Sequence, residues 1–199
     1  IAKQIGNKRN EGSNLGNIGI VYQQTGQYDN AISHYKKALE IAKQIGNKRS
    51  EGNNLGNLGI VYQDLGQYEK AIKYYKQALK INRQIENKRS EGPNLGNLGT
   101  VYQSLGQYEK AIEYYKASIE LAKQIGDKRN EGIFLGNIGD LFIKLKKWEE
   151  AQKYLIEAIE INKETFPPAA GAFSGSLSLI LMKQQKIEGA VQILKEGEP

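Results

Sequence analysis

Leu55-Gly56-Asn57-Leu58-Gly59-Ile60-Val61-Tyr62, followed by Gly66-Gln67-Tyr68-Glu69-Lys70-Ala71-Ile72, decides the fold, because nearly the same words return every 40 residues. They run from Leu15 to Ile32, from Leu55 to Ile72 and from Leu95 to Ile112, then in altered form from Leu135 to Gln152, with a remnant around Ala190. A unit this short cannot bury its apolar face alone, so such units stack, each on its neighbours. The expectation is therefore one array over residues 1–199 rather than one or two globular domains.

Within a unit the apolar spacing is that of two helices. Asn7 can cap a first helix whose buried stripe holds the stem of Glu11, then Leu15, Ile18, Gly19 and Tyr22, three or four residues apart. Gly26 ends it. A second helix starts near Tyr28, carries Ala31, Ile32, Tyr35, Ala38, Leu39 and Ala42 on one face, and closes at Ile45 and Gly46. No stretch alternates with period two between turn signals, so no strand is assigned and the unit is an antiparallel helical hairpin. Glycines inside the first helix, at Gly12, Gly16 and Gly19, each cost about 1 kcal/mol relative to alanine. Small-on-small packing of Gly19, Gly59, Gly99 and Gly139 against Ala31, Ala71, Ala111 and Ala151 is the expected compensation. The Gly12–Gly16 spacing also matches a membrane dimer motif, but its polar neighbours exclude that reading.

The repeats fall at about 7–46, 47–86, 87–126 and 127–166, with a degenerate capping helix pair over 167–199. Ile1-Ala2-Lys3-Gln4-Ile5-Gly6 copies Ile41-Ala42-Lys43-Gln44-Ile45-Gly46, so residues 1–6 read as the tail of a preceding repeat and the chain as a fragment of a longer array. The fourth unit departs from the others at Phe134, Phe142, Lys146 and Trp148, and Thr165-Phe166-Pro167-Pro168 breaks its connector. Atypical terminal units are expected where a stack must shield its open end.

Composition narrows the function. There is no cysteine and one histidine, which excludes a disulfide framework and leaves little for a metal cluster or an imidazole base. No cofactor and no enzyme activity are expected. No apolar run reaches the ~18 residues of a membrane span, and no leader opens the chain, so a cytoplasmic protein without membrane contact is the default. A net charge of +6, spread by the repeat, favours acidic partners.

These residues resemble the tetratricopeptide repeat family, in a 40-residue rather than a 34-residue form. The resemblance rests on Leu55, Leu58, Gly59 and Tyr62 in the first helix and Tyr68, Ala71, Tyr75 and Ala78 in the second, and it covers about residues 1–165. It implies an all-α fold, a right-handed α-solenoid of stacked antiparallel helix pairs, whose first helices line a concave groove for peptides or partner segments. The long unit, with connectors such as Gly126-Asp127-Lys128-Arg129, is similar to repeats of spindle-orientation adaptors and of many bacterial and archaeal scaffold and signalling proteins.

With Leu15, Ile18 and Tyr22 inward, a helical wheel puts Ser13, Asn17, Ile20 and Gln24 on the open face of the first helix. Asn53, Asn57, Ile60 and Asp64 follow, then Pro93, Asn97, Thr100 and Ser104, then Ile133, Asn137, Asp140 and Lys144. Asn17, Asn57, Asn97 and Asn137 thus make a ladder of amides, each able to donate to and accept from an extended peptide backbone. The resemblance implies that role for them. Arg49, Arg89 and Arg129, with Arg9, stand at the upstream end of the stripe and suit carboxylates. The candidate peptide contacts are therefore the four asparagines, these three arginines, Asn53, Gln24 and Asp64. Relatives that clamp chaperone tails need cations mid-helix, where this chain has Gly16, Ile20, Gly56, Ile60 and Asn97.

Each signal has a plainer reading. The asparagines could merely be copied with the repeat, and the arginines could bridge Glu11, Glu51, Glu91 and Glu131 at solvated corners. Tyr22, Tyr62, Tyr102, Tyr35, Tyr75 and Tyr115 are core by their regular spacing, and His34 substitutes for Tyr74, Tyr114 and Tyr154. Glu149-Glu150 lie side by side on an open helix face and converge on nothing catalytic. The leading expectation is a non-catalytic protein-interaction scaffold for an extended, acidic peptide. Alternatives are the regulatory or sensory arm of a larger bacterial or archaeal signalling protein, and nucleic-acid binding along the Lys-Arg rows, which the modest charge and the lack of groove aromatics oppose. The open apolar flank of the first helix also allows end-to-end self-association.

Overall fold

The structure, a computed structural model, describes residues 2–196, and within them the secondary structure is entirely helical. The helices are α1 (Ala2–Gln24), α2 (Tyr28–Gln44), α3 (Lys48–Asp64), α4 (Tyr68–Gln84), α5 (Lys88–Ser104), α6 (Tyr108–Ile125), α7 (Lys128–Lys144), α8 (Trp148–Thr165), α9 (Pro167–Lys183) and α10 (Ile187–Glu196). They divide into two compact units after Val101. In the first, α1 packs on α2, α2 on α3 and α3 on α4; in the second, α6 packs on α7, α7 on α8, α8 on α9 and α9 on α10. Each unit is thus a stack of antiparallel helix pairs, the α-solenoid construction.

Sequence signals set the helix ends. Gly26, Gly46, Gly66, Gly106 and Gly126 close helices with φ between 68 and 73°, a region an L side chain enters only at a cost. Glu86 and Lys146 hold the same place with φ of 53° and 58°. Asn47 and Asp127 cap α3 and α7, accepting from the backbone N–H of Ser50 at 3.1 Å and of Asn130 at 3.2 Å.

Asn7 does not cap a helix. α1 runs through it without a break. Gly6 does not take the left-handed φ that ends α2 at Gly46, so the helical backbone hydrogen bonds continue across Gly6 and Asn7. Ile1, from the same motif, lies outside the described residues.

The core is built on Ala31, Tyr35, Leu58, Ala71 and Tyr75 in the first unit and Ala111, Tyr115, Ile138, Ala151 and Leu155 in the second, as expected, and also on Val61 and Leu141, which lie off the expected stripe, while Glu11 is exposed and Ile32 half-buried. Ile18 and Val21 depart from it, at 42% and 59% exposed, whereas their copies Leu58 and Val61 are at 0%. The reason is that α2 covers this flank on α3, and no helix among the described residues covers it on α1.

The mid-helix glycines also pack differently from the expectation. A Cβ on Gly19 would stand 2.7 Å from the Tyr35 ring, one on Gly59 2.5 Å from the Tyr75 ring, and one on Gly139 2.8 Å from Leu155. The partner is thus the residue one turn beyond the alanine. Large-into-small packing, not small-on-small, brings the helices together. Gly56 likewise admits Asn94, and Gly136 the Phe173 ring.

Ring pairs close the first four hairpins, stacked in three of them and tilted at 40° between Tyr22 and His34. Tyr62 and Tyr74 lie 5.2 Å apart at 3°, Phe142 and Tyr154 5.5 Å apart, and Tyr22 and His34 5.0 Å apart, so His34 does replace a tyrosine.

Candidate functional site: the open face of the first helices

Burial of Leu55, Leu58, Val61 and Tyr62 against the neighbouring helices leaves the opposite side of α3 free. There Asn57 and Ile60 are half-buried, while Asn53 and Asp64 are exposed. On α1 the equivalents Ser13, Asn17, Ile20 and Gln24 are all exposed; on α5 Pro93, Asn97 and Thr100 are half-buried. In the second unit Ile133, Asn137 and Asp140 of α7 are half-buried and Lys144 is exposed. On α3, α5 and α7 the residues of the wheel's open face are half-buried or exposed, whereas on α1 the wheel's inward Ile18, at 42%, is as exposed as its outward Ile20.

Beneath the face of the first unit runs a hydrogen-bond network. The Tyr35 hydroxyl donates to Gln23 Oε1 at 3.0 Å, Gln23 Nε2 donates to Asp64 Oδ2 at 3.2 Å, and the Tyr75 hydroxyl donates to Gln63 Oε1 at 2.9 Å. The Asn97 side chain also hydrogen-bonds the Tyr75 hydroxyl. These phenols are neutral anchors. Burial pushes Tyr35 up to about 12. It pushes Tyr75 further still, helped by the nearby Asp64 carboxylate and opposed by the Asn97 amide. The second unit repeats the bridge between Tyr115 and Gln103 at 3.0 Å.

Two candidate residues are therefore already engaged: Asp64 links α3 to α1, and Asn97 links α5 to α4. Asn53 Oδ1 also accepts from Ser90 Oγ at 3.2 Å. The glutamine–tyrosine pairs were missed from sequence, although the signal was there. Gln23, Gln63 and Gln103 stand 12 residues before Tyr35, Tyr75 and Tyr115, and where the fourth unit loses the glutamine, at Ile143, it also loses the tyrosine, at Leu155.

In the second unit Asp140 hydrogen-bonds Ser176 of α9. Burial raises its carboxyl, against the pull of that bond and of Lys144. Arg49 and Arg89 are exposed in the first turns of α3 and α5. Among the described residues Arg49, Arg89 and Arg129 make no ion pair with Glu51, Glu91 or Glu131, which pair elsewhere. Glu51 pairs with Lys48 at 2.8 Å, Glu131 with Lys128 at 2.9 Å, and Glu91 with Arg83 at 2.6 Å. The Arg129 guanidinium lies 4.5 Å over the Phe166 ring, supplied by the altered connector of the fourth unit.

Among the described residues no group of three or more His, Cys, Asp or Glu could hold a metal ion, and no helix is long and apolar enough to cross a membrane.

No curated protein matches the chain. Solved structures do. BtubC (BKLC) from P. vanneervenii superposes with a TM-score of 0.80 at 17% identity, over 98% of this chain and 89% of that one. NprR in complex with its cognate peptide NprX gives 0.69 at 21%, over 92% of this chain and 53% of that one. A signal transduction ATPase with numerous domains from Pyrococcus horikoshii, which carries a tetratricopeptide repeat sensor, gives 0.82 at 22%, over 95% of this chain and 30% of that one. At these identities the likeness is one of fold. Two family models described as tetratricopeptide repeat match the sequence itself, one over residues 11–84 and 93–164 and the other over 57–124. Carrying the repeat in its sequence and the stacked helix pairs in its structure, the chain belongs to the tetratricopeptide repeat family.

Proposed function

We propose that this chain is a non-catalytic protein-interaction scaffold, a single cytoplasmic array that holds an extended, acidic peptide segment on the open faces of its first helices. The observation that carries the proposal is the placement of Asn57: half-buried in the middle of α3, on the side away from the buried Leu55 and Tyr62, with Asn17 and Asn137 at the same place in the sequence repeat. An amide so placed can donate to and accept from a peptide backbone without selecting its side chains. Asn97 serves the ligand less, because it is committed to Tyr75. Selection of acidic side chains falls to Arg49 and Arg89, with the cation–π contact holding Arg129 in place for the same task.

The test is fluorescence anisotropy with labelled pools of extended octapeptides, one bearing Asp and Glu and one bearing Asn and Gln in their place. The acidic pool binds more tightly. Asn57→Ala weakens binding of both by roughly tenfold, the loss of one or two hydrogen bonds. Arg49→Ala and Arg89→Ala weaken the acidic pool alone. Equal affinity for the two pools, or full affinity in Asn57→Ala, refutes the assignment.

The likeness to NprR, crystallised with a peptide, agrees with this reading. The sensor repeats of the Pyrococcus ATPase favour a second one, in which the array is the sensory arm of a larger signalling protein. We also infer end-to-end self-association through the flank of α1 that exposes Ile18 and Val21.

A further inference from the structure

The two units are cut from the same repeat and yet differ in charge. Residues 1–101 hold 15 Lys and Arg against 8 Asp and Glu, whereas residues 102–199 hold 13 against 14. The contrast is sharpest between α4 and α8. α4 carries Lys70, Lys73, Lys76, Lys80 and Arg83 against Glu69 alone, and α8 carries five glutamates against Lys153 and Lys163. One outer position of the repeat reads Glu40, Lys80, Glu120 and Glu160, so α4 reverses the sign that the other copies keep.

In the first unit these cations gather without anions. Lys73, Lys76 and Lys80 are exposed, and among the described residues none of them is in an ion pair. Lys80 lines an open cleft together with Lys43 and Lys48, and the one carboxylate there, Glu51, is held by Lys48 at 2.8 Å. Like charges so grouped repel one another, and an anion from outside relieves the repulsion. The second unit answers the same cluster from within. Lys123, the copy of Lys43, has Glu157 at 2.9 Å and Glu131 at 4.0 Å, and Glu160 and Glu164 stand exposed beyond them.

The two stripes also match in length. Lys73, Lys76 and Lys80 stand three and then four residues apart, as do Glu157, Glu160 and Glu164. Each triplet lies on one face of its helix and spans about 10 Å. Ile156, 41% exposed, borders the acidic triplet and offers apolar surface to the lysine stems.

We propose that the lysine face of α4 docks, parallel, on the glutamate face of α8 in a second copy of this chain. The contact uses neither the open faces of the first helices nor the flank of α1, so it stands or falls independently of both. Nucleic acid or an acidic peptide would match the lysines alone. A second copy matches them with a stripe of the same spacing and opposite sign. The contact joins unlike faces, and every copy carries both. Exposed pairs are individually weak, so the association is of low affinity and strongly salt-dependent.

The experiment is sedimentation equilibrium of the full chain carrying Val21→Ser, which takes away the α1 flank as a route to association. A dissociation constant on the order of 0.1 mM is expected at about 20 mM salt. It weakens at least roughly tenfold at about 300 mM, where the screening length falls from about 20 Å to about 6 Å. Lys76→Glu with Lys80→Glu opposes like charges across the contact, and so does Glu160→Lys with Glu164→Lys; each double variant is monomeric alone. Mixing the two restores association, because each then meets its complement, and that recovery also shows both variants to be folded. A parent chain monomeric at about 0.5 mM in low salt, association indifferent to salt, a double variant that associates as the parent does, or a mixture that stays monomeric overturns the proposal. Binding of an oligonucleotide or an acidic peptide that depends on Lys76 and Lys80, in a chain that never self-associates, assigns the lysines to that partner and overturns it too.

Discussion

Replacing Gly59 by alanine should destabilise this protein, against the usual sign of that change. In a helix interior, alanine is better than glycine by about 1 kcal/mol. At Gly59 the added Cβ meets the Tyr75 ring at 2.5, 2.6 and 3.0 Å. Tyr75 is fully buried and held at its tip by Gln63 and Asn97, so the ring cannot swing aside. Overpacking of this kind costs about 1–3 kcal/mol and sometimes more. At contacts this short the upper end applies, and the net loss is about 2 kcal/mol. In a chain of this length that lowers the melting temperature by roughly 4–8 °C. Gly16→Ala is the internal control. Its Cβ would have ordinary contact, 3.5 Å to Asn54 Oδ1, so the propensity gain survives and melting rises by roughly 2–4 °C. A second check is coupling: in a Tyr75→Ala background the loss at Gly59→Ala should vanish or reverse. Thermal denaturation by circular dichroism reads all four variants. If Gly59→Ala melts with or above the parent, the close approach of α3 and α4 over Tyr75 is not what the glycine serves.

The remaining expectations follow from single contacts. Asn97→Ala removes the amide from Tyr75 and should cost about 1 kcal/mol in urea denaturation, whereas Asn57→Ala should leave the midpoint unchanged. Asp140→Asn should raise stability at pH 7 and leave it unchanged near pH 3. Burial raises the folded carboxyl above its ordinary 3.8, so the folded state holds its proton more tightly. Stability is thus lost as pH rises from the unfolded value through the folded one, and a flat difference between parent and variant across pH 3–7 would refute this. Glu86→Gly and Lys146→Gly relieve left-handed backbone at φ of 53° and 58°; each should gain up to about 1 kcal/mol after the unfolded-state entropy of glycine is set against it. Val21→Asp should abolish concentration-dependent self-association in sedimentation equilibrium without lowering the melting temperature, because Val21 is 59% exposed.

What the sequence yields and what it withholds divide along a physical line. Signals carried by a residue and its own helix are legible: Gly26 and Gly66 mark turns, Asn47 and Asp127 mark caps, and the stripe through Leu55, Leu58 and Tyr62 marks which side of α3 is buried and hence which side Asn57 faces. Contacts between helices are set by an axial offset that no wheel contains. The wheel aligned Gly59 with Ala71, and the offset brought Tyr75 across it instead, one turn further on. The same gap hid the engagement of Asn97 by Tyr75 and of Arg129 by Phe166. Asn7 failed for a related reason: it has the cap residue of Asn47, but Gly6 does not take the left-handed φ with which Gly46 ends α2, so α1 continues through it. A repeat partly closes this gap, because substitution in one copy tests a contact in the others. Gln63 with Tyr75 becoming Ile143 with Leu155 points to a hydrogen bond. Paired changes between copies are therefore where an array of this kind discloses its tertiary contacts, and the last helix pair, which departs most, is where they should be sought first.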